Sequence, residues 1–274
     1  MEGEKAVREY KRIIVERDKK DKRILWIKLN YPERLNVLGK RMLDELYEAL
    51  ITADKDEEVQ AIIITGNGRA FCAGADVNEL TKMSVEEGVR WFQGYWRVLE
   101  LIRTTGKPVI ASVNGVCVAG GNELVMACDL AIACKSAKLG QPEVRVGSTA
   151  MGLGVQLLPL IVGEKRAREI LFTAKLLTAE EAYNFGLINR VVNDEELEEE
   201  SRKFAIEIIE NSSPQAFRVI KAGLKFWTDL AMINLPMARE VTSMVWHSSE
   251  FRERAKEFLE KKKMNPRKFS GVTP

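Results

Sequence analysis

Two segments of this 274-residue chain place small residues where an apolar run gives way to a helical pattern. Cys72-Ala-Gly-Ala-Asp76 follows Ala61–Thr65, and Ala119-Gly-Gly-Asn122 follows Val116–Val118. Small residues let backbone N–H groups approach a ligand, and the first turn of a helix leaves such donors unpaired at the positive end of its dipole. Two donors converging from different loops would stabilise negative charge building on a carbonyl oxygen, where losing one costs about 2.7–4 kcal/mol of barrier stabilisation. The same glycines also serve tight strand-to-helix turns with no chemistry attached, and the pattern alone admits both readings. A pair of carboxylates is the second feature. Glu123 falls in the first turn of an otherwise apolar helix (Leu124, Val125, Met126, Ala127), and Glu143 follows Gln141-Pro142 at the end of a short extended run. A first-turn Glu usually partners the helix dipole in solvent. Flanked by small and apolar residues, this one is expected to be buried, and a buried carboxylate needs a reason. Two carboxylates in one low-dielectric pocket push their proton affinities apart, leaving one as acid and the other as base. Spacing alone does not say whether Glu123 and Glu143 meet.

The elements that must position these groups follow from periodicity. Ile13–Glu16 and Ile24–Leu29 alternate as an antiparallel strand pair, and Met42, Leu43, Leu46 and Leu50 recur at helical spacing up to about Ala53. The β-branched runs Ala61–Thr65 and Pro108–Val113 read as strands buried on both faces. Ser84 with Glu87 is a capping-box signature for a long helix through Trp91, Phe92, Trp96, Leu99 and Ile102, whose large side chains form a core stripe or a pocket wall. Val116–Val118 and Leu130–Cys134 are further strands. From Leu157 helical patterns dominate: Glu164–Thr173, Ala179–Phe185 with Thr178 as N-cap and Gly186 as stop, Glu195–Glu210, Pro214–Trp227, and one long helix up to Lys262 carrying His247. Leu187–Val192 alone interrupts as a strand. The chain thus reads as an α/β core over residues 1–195, with a largely parallel sheet, and a helical region over residues 196–274.

Composition narrows the chemistry. With 46% hydrophobic and 30% charged residues the chain is neither disordered nor a disulfide scaffold. Lys and Arg (42) nearly balance Asp and Glu (40), so nothing calls for nucleic acid or a membrane surface. The uncharged stretch Pro108–Asn122 is too short and too rich in small residues to span a bilayer. The charged N-terminal segment is not a secretory signal, and Cys72, Cys117, Cys128 and Cys134 form no C-x-x-C pair, so a cytoplasmic chain with reduced, buried thiols is expected. A single histidine leaves no His-rich metal site, and no P-loop, G-x-G-x-x-G, G-x-S-x-G or H-E-x-x-H motif is present.

Several segments, in one order, resemble the enoyl-CoA hydratase (crotonase) family: Lys107-Pro-Val-Ile-Ala-Ser-Val-Asn-Gly115, Gly120-Gly-Asn-Glu-Leu124, Cys128-Asp129 and Gly140-Gln-Pro-Glu143. Ala70-Phe-Cys-Ala-Gly-Ala-Asp76 looks like that family's coenzyme A loop, and Leu177–Ala182, Gly186–Val191 and Phe258–Lys263 look like its later segments. The resemblance implies a crotonase-like spiral of ββα units with a helical C-terminal trimerisation region, assembled as a trimer or dimer of trimers. It implies reversible syn addition of water to a 2-enoyl-CoA thioester. The backbone N–H groups of Ala75 and Gly120 would grip the thioester carbonyl. Glu123 would assist the water as base, and Glu143 would shuttle the α-proton. Ala73, Ala75, Asp76 and Val77 would line the coenzyme A path. No metal or further cofactor is implied, coenzyme A being only the carrier of the acyl group, and no nucleic acid or membrane partner.

The sequence departs from the hydratase pattern after Glu143. In Gly147-Ser-Thr-Ala-Met-Gly-Leu-Gly154, Ala150 replaces a usual proline, and Met151 and Leu153 replace glycines. Met151 either reshapes the acyl end of the pocket or is a packing substitution. Asn122 and Val146-Gly-Ser148 resemble branches acting on ring-bearing acyl-CoAs, which keeps a cyclic (di)enoyl-CoA hydratase or a ring-acting hydrolase or lyase as the alternative. Retention of both glutamates favours water addition. An RNA-binding or scaffold role resting on Lys261–Lys263, Arg267 and Lys268 is a third reading that the balanced charge disfavours. That basic end is otherwise a solvated surface or, by resemblance, a holder of coenzyme A phosphates. His247 is expected to be structural.

Overall fold

The structure, a computed structural model, describes residues 9–263 and 265–269. β1 (Ile13–Arg17) and β2 (Ile24–Leu29) form the antiparallel pair that their alternation implies, with Ile13 opposite Leu29. After α1 (Lys40–Lys55) one pattern occurs three times. A strand enters a six-stranded sheet, a three-residue strand follows in a four-stranded sheet, and helices return the chain. The first turn is β3 (Ala61–Gly66), β4 (Ala70–Cys72), α2 (Val77–Leu80) and α3 (Val85–Thr104). The second is β5 (Val109–Val113), β6 (Val116–Val118) and α4 (Gly120–Ala127). The third is β7 (Leu130–Cys134), β8 (Lys138–Gly140), a 3-10 turn at Glu143–Val146, α5 (Gly154–Val162) and α6 (Glu164–Thr173). β9 (Leu176–Thr178), α7 (Ala179–Asn184) and β10 (Arg190–Val192) complete sheets of order β1-β2-β3-β5-β7-β10 and β4-β6-β8-β9. Among the described residues no strand follows β10, and the chain continues as α8 (Leu197–Asn211), α9 (Pro214–Leu230), α10 (Leu235–Trp246) and α11 (Ser249–Leu259).

The core sits where the β-branched runs place it. Ile62, Ile63, Ile64, Val109, Ile110 and Ala111 are wholly buried, as parallel strands covered on both faces require, and α8 packs on β3, β5 and β7. The Ser84–Glu87 capping box is formed: Ser84 Oγ accepts from the Glu87 N–H at 3.2 Å, and the Glu87 carboxylate accepts from the Ser84 N–H at 2.8 Å. Thr178 and Glu181 make a second box, and Gly186, at φ 81°, follows the end of α7. Trp91, Phe92 and Leu99 are buried and Trp96 is half-buried.

Three expectations need correction. The small-residue loop from Cys72 to Asp76 does not follow Ala61–Thr65 directly, because β4 lies between and includes Cys72. Leu176–Thr178 is a strand as well, so Leu187–Val192 is not the lone late one; its strand is confined to Arg190–Val192. The long final helix is two. It breaks at His247, an exposed C-cap, and Ser248 starts α11 by accepting from the Phe251 N–H. A serine competing for backbone donors ends the helix there without any glycine or proline.

What matters for function is the small sheet. β4 runs parallel to β6, with Ala70 beside Val116 and Cys72 beside Cys117, and β6 runs parallel to β8, with Val118 beside Gly140. Their carboxyl ends therefore deliver Ala73–Asp76, Ala119–Glu123 and Gln141–Glu143 to one edge, the position where parallel sheets bind ligands.

Candidate active site

The first two segments bring backbone to backbone. Gly74 has φ 86°, which a side chain would strain, and a Cβ there would lie 2.7 Å from Ala119 Cβ and 3.1 Å from the Gly120 nitrogen. Leu38 pairs with Ala75 in parallel fashion: the Leu38 N–H donates to Gly74 O at 2.8 Å, and the Asp76 N–H to Leu38 O at 3.3 Å. That pattern leaves the N–H of Ala75 outside its pairing with Leu38. Ala119, held at φ 53° and ψ −128° by an N–H bond to Gly140 O, turns the chain sharply into the helix. Gly120 then opens α4, with no carbonyl four residues back in the helix to receive its N–H. The segments carrying Ala75 and Gly120, the two amides that the family resemblance implies as a donor pair, thus pass close to each other at Gly74. Ala73, Ala75 and Val77 are half-buried beside them. Asp76 is committed elsewhere: 5% exposed, it caps α2 through the Asn78 N–H (3.0 Å) and pairs with Arg34 (2.9 Å), so backbone is what this loop offers a ligand.

Glu123 is buried, 3% exposed, in the first turn of α4. Its Oε1 accepts from the N–H groups of Leu153 (2.8 Å) and Gly154 (2.9 Å), the unpaired donors at the start of α5. Its Oε2 lies 2.9 Å from the Tyr95 hydroxyl. Burial raises the proton affinity of Glu123, and those donors oppose it by stabilising the anion. Glu143 has far less help. Gln141 Nε2, oriented by a bond from Asn122 Nδ2 to Gln141 Oε1 (3.0 Å), donates to Glu143 Oε1 at 3.2 Å. Glu143 Oε2 is buried with no hydrogen-bond partner among the described residues. Burial first, and then the charge of Glu123, hold the Glu143 carboxyl well above the usual carboxylate range. The two glutamates therefore meet electrostatically: the charge of Glu123 raises the proton affinity of Glu143, and Glu123 has more of the donors that stabilise an anion.

The departing segment after Glu143 is what grips Glu123. Leu153 is wholly buried and Ala150 nearly so, whereas Met151 is half-buried and gives its carbonyl to Gln156 Nε2 at 3.2 Å. Cys72, Cys117 and Cys134 are buried, Cys128 half-buried, and all four are free; burial pushes the Cys72 thiol up to about 12.

The family model for enoyl-CoA hydratase/isomerase matches residues 19–268. The chain belongs to the enoyl-CoA hydratase/isomerase family. It is 37% identical to a crotonyl-CoA hydratase of Syntrophomonas wolfei over 261 residues, covering 93% of this chain and 98% of that one. It is 34% identical to a short-chain-enoyl-CoA hydratase of Clostridium acetobutylicum, covering 89% and 94%. A solved enoyl-CoA hydratase/isomerase from Mycobacterium paratuberculosis superposes with TM-score 0.82 at 28% identity, covering 90% and 98%. The mixed α/β spiral with a helical C-terminal region is the crotonase fold.

In this enoyl-CoA hydratase/isomerase family chain, Tyr95 is the site residue that sequence reasoning missed. It lies on the core stripe of α3, four residues after Trp91, and is 3% exposed. A phenol on a buried stripe needs a polar partner, and that was the available signal. Among the described residues no helix is long and apolar enough to cross a membrane, and no group of three or more His, Cys, Asp or Glu could hold a metal ion.

Proposed function

We propose that this site adds water reversibly, in syn fashion, to a 2-enoyl-CoA thioester. What supports the reading is the pairing of Glu123, supplied with donors that stabilise its anion, with Glu143, held well above the usual carboxylate range by burial and by the charge of Glu123, beside the segments that carry Ala75 and Gly120. The thioester carbonyl sits between the N–H groups of Ala75 and Gly120. Water held on Glu123 attacks the β-carbon and gives up a proton to Glu123 as its oxygen bonds carbon. The π electrons shift toward the carbonyl, and the enolate oxygen is stabilised by the two amides. Glu143 delivers its proton to the α-carbon, restoring the carbonyl; proton exchange between the two carboxyls resets the pair. Backbone of Ala73, Ala75, Asp76 and Val77 lines the coenzyme A path. Arg145, two residues past Glu143, borders a cavity of about 540 Å³ with Arg254, Phe258 and Lys261–Lys263, a basic surface suited to the phosphates. Coenzyme A enters only as part of the substrate. Self-association, as a trimer or dimer of trimers, completes the reading.

The test is loss of the conjugated enoyl-thioester absorbance of crotonyl-CoA. Rapid loss is expected, with Glu123→Gln and Glu143→Gln each slower by about 10²–10⁴-fold. A bell-shaped kcat/KM is expected as well, because Glu123 has to be ionised and Glu143 protonated. A folded protein that binds coenzyme A but leaves crotonyl-CoA unchanged overturns the short-chain reading in favour of cyclic acyl-CoAs.

A further inference from the structure

We propose that Tyr95 is a positioning residue for Glu123, its hydroxyl hydrogen turning between Glu123 Oε2 and the Gly120 carbonyl as that carboxylate loses and gains its proton. This rests on the reading of Glu123 as the base. Tyr95 Oη lies 2.9 Å from Glu123 Oε2 and 2.8 Å from Gly120 O, yet a phenol has one hydrogen to give. Its ring is held against Trp91, centroids 5.4 Å apart, and Trp91 is held in turn by Trp246 at 5.4 Å, edge to face. The oxygen is therefore fixed, and only the hydrogen rotates about the C–O bond.

With Glu123 ionised, the hydrogen points to Oε2, where the bond is charge-assisted. Oε1 already takes two amides, so a remaining lone-pair direction on Oε2 is left for water. Once Glu123 has taken the water's proton, its hydroxyl oxygen is a poor acceptor, and the Tyr95 hydrogen turns to Gly120 O. No covalent bond of Tyr95 changes. In both states the buried phenol has a partner, so the proton transfer leaves no polar group stranded.

The ionisable groups packed around Glu123 are few. α3 brings Tyr95, β4 brings Cys72, β6 brings Cys117, and the 3-10 turn brings Glu143; α5 contributes backbone N–H groups and no ionisable side chain. Burial keeps the phenol and both thiols protonated through neutral pH. Glu143 has to be protonated, so it governs the basic limb of the rate profile, and Tyr95 acts on the acidic limb alone. A donor to the anion lowers the proton affinity of Glu123; removing it raises that affinity, so kcat/KM starts to fall at a higher pH.

The experiment is the pH profile of kcat/KM for crotonyl-CoA in Tyr95→Phe, with Glu123→Gln alongside. The acidic limb is expected to move up by about one pH unit, a loss of about tenfold on that limb that vanishes above it, with KM little changed. A second variant carries 3,5-difluorotyrosine at position 95, a stronger donor of nearly the same shape, which is expected to move the limb down. A profile that superimposes on the unsubstituted protein's, or drops equally at every pH, overturns the proposal, as does a limb that the fluorinated residue leaves in place. A fully active Glu123→Gln overturns instead the underlying assignment of the base.

Discussion

Glu123 and Glu143 are one side-chain type in two surroundings, and the difference lies in donor count. Glu123 has two helix-start amides and a phenol, whereas Glu143 has one amide side chain at 3.2 Å. Gly152 keeps that arrangement open: a Cβ there would overlap Glu123 Oε2 and lie 2.8 Å from Tyr95 Cε1. Gly152→Ala is thus expected to displace the carboxylate, cutting kcat by about 10²-fold. Overpacking should also cost about 1–3 kcal/mol of stability. Steady-state rates beside thermal unfolding check both, and an unchanged kcat would show that Glu123 does not need this placement. At this scale the sequence was legible in type more than in partnership. The apolar flanks of Glu123 announced its burial, but nothing local to Tyr95 announced that its hydroxyl would end at Glu123.

Among the elements, long β-branched strands were readable because several consecutive side chains repeat one environment. β4 and β9 were not, and β8 only as a short extended run, since three residues are too few to show a period and their sequences include Ala, Cys, Lys and Gly. Yet β4 and β8 shape the site, for β6-β8 pairing brings the Glu143 segment beside that of Glu123, and β4-β6 pairing brings the Ala75 segment beside that of Gly120. α3 was legible at its start through Ser84 and Glu87. Ser84→Ala removes one half of that box and is expected to cost about 1 kcal/mol. A melting temperature lower by about 2–4 °C with unchanged kcat would fit that reading, because Tyr95 lies three turns farther along a well-packed helix. A fall in kcat at temperatures where the variant is fully folded would contradict it.

Across the whole molecule, the helical region holds to the core while leaving an apolar face outward. Lys221, 9% exposed on α9, bonds Asp129 at 2.7 Å and the carbonyls of Ile102 and Lys107. Farther along α9 and into α10, Leu224, Phe226, Trp227, Leu230, Ile233 and Met237 are all more than half exposed. Contiguous apolar surface of that kind marks an interaction site, and it supports the self-association proposed above. Light scattering after size exclusion is expected to give a trimer or a multiple of it, and Leu224→Glu with Trp227→Glu to give monomers. A monomeric unsubstituted protein would remove this assignment.

The three strand ends that meet at the site belong to three successive turns of the chain, and no turn owns a complete set of groups. The amide pair joins the first turn to the second, and the glutamate pair joins the second to the third. During refolding, helices such as α3 form early from local contacts, while β4-β6 and β6-β8 pairing has to wait for distant segments to close. Ellipticity should then recover well ahead of turnover. Activity in this molecule is a clock for its last long-range closure, and a nascent chain released before β8 has docked would be well folded in part and catalytically silent.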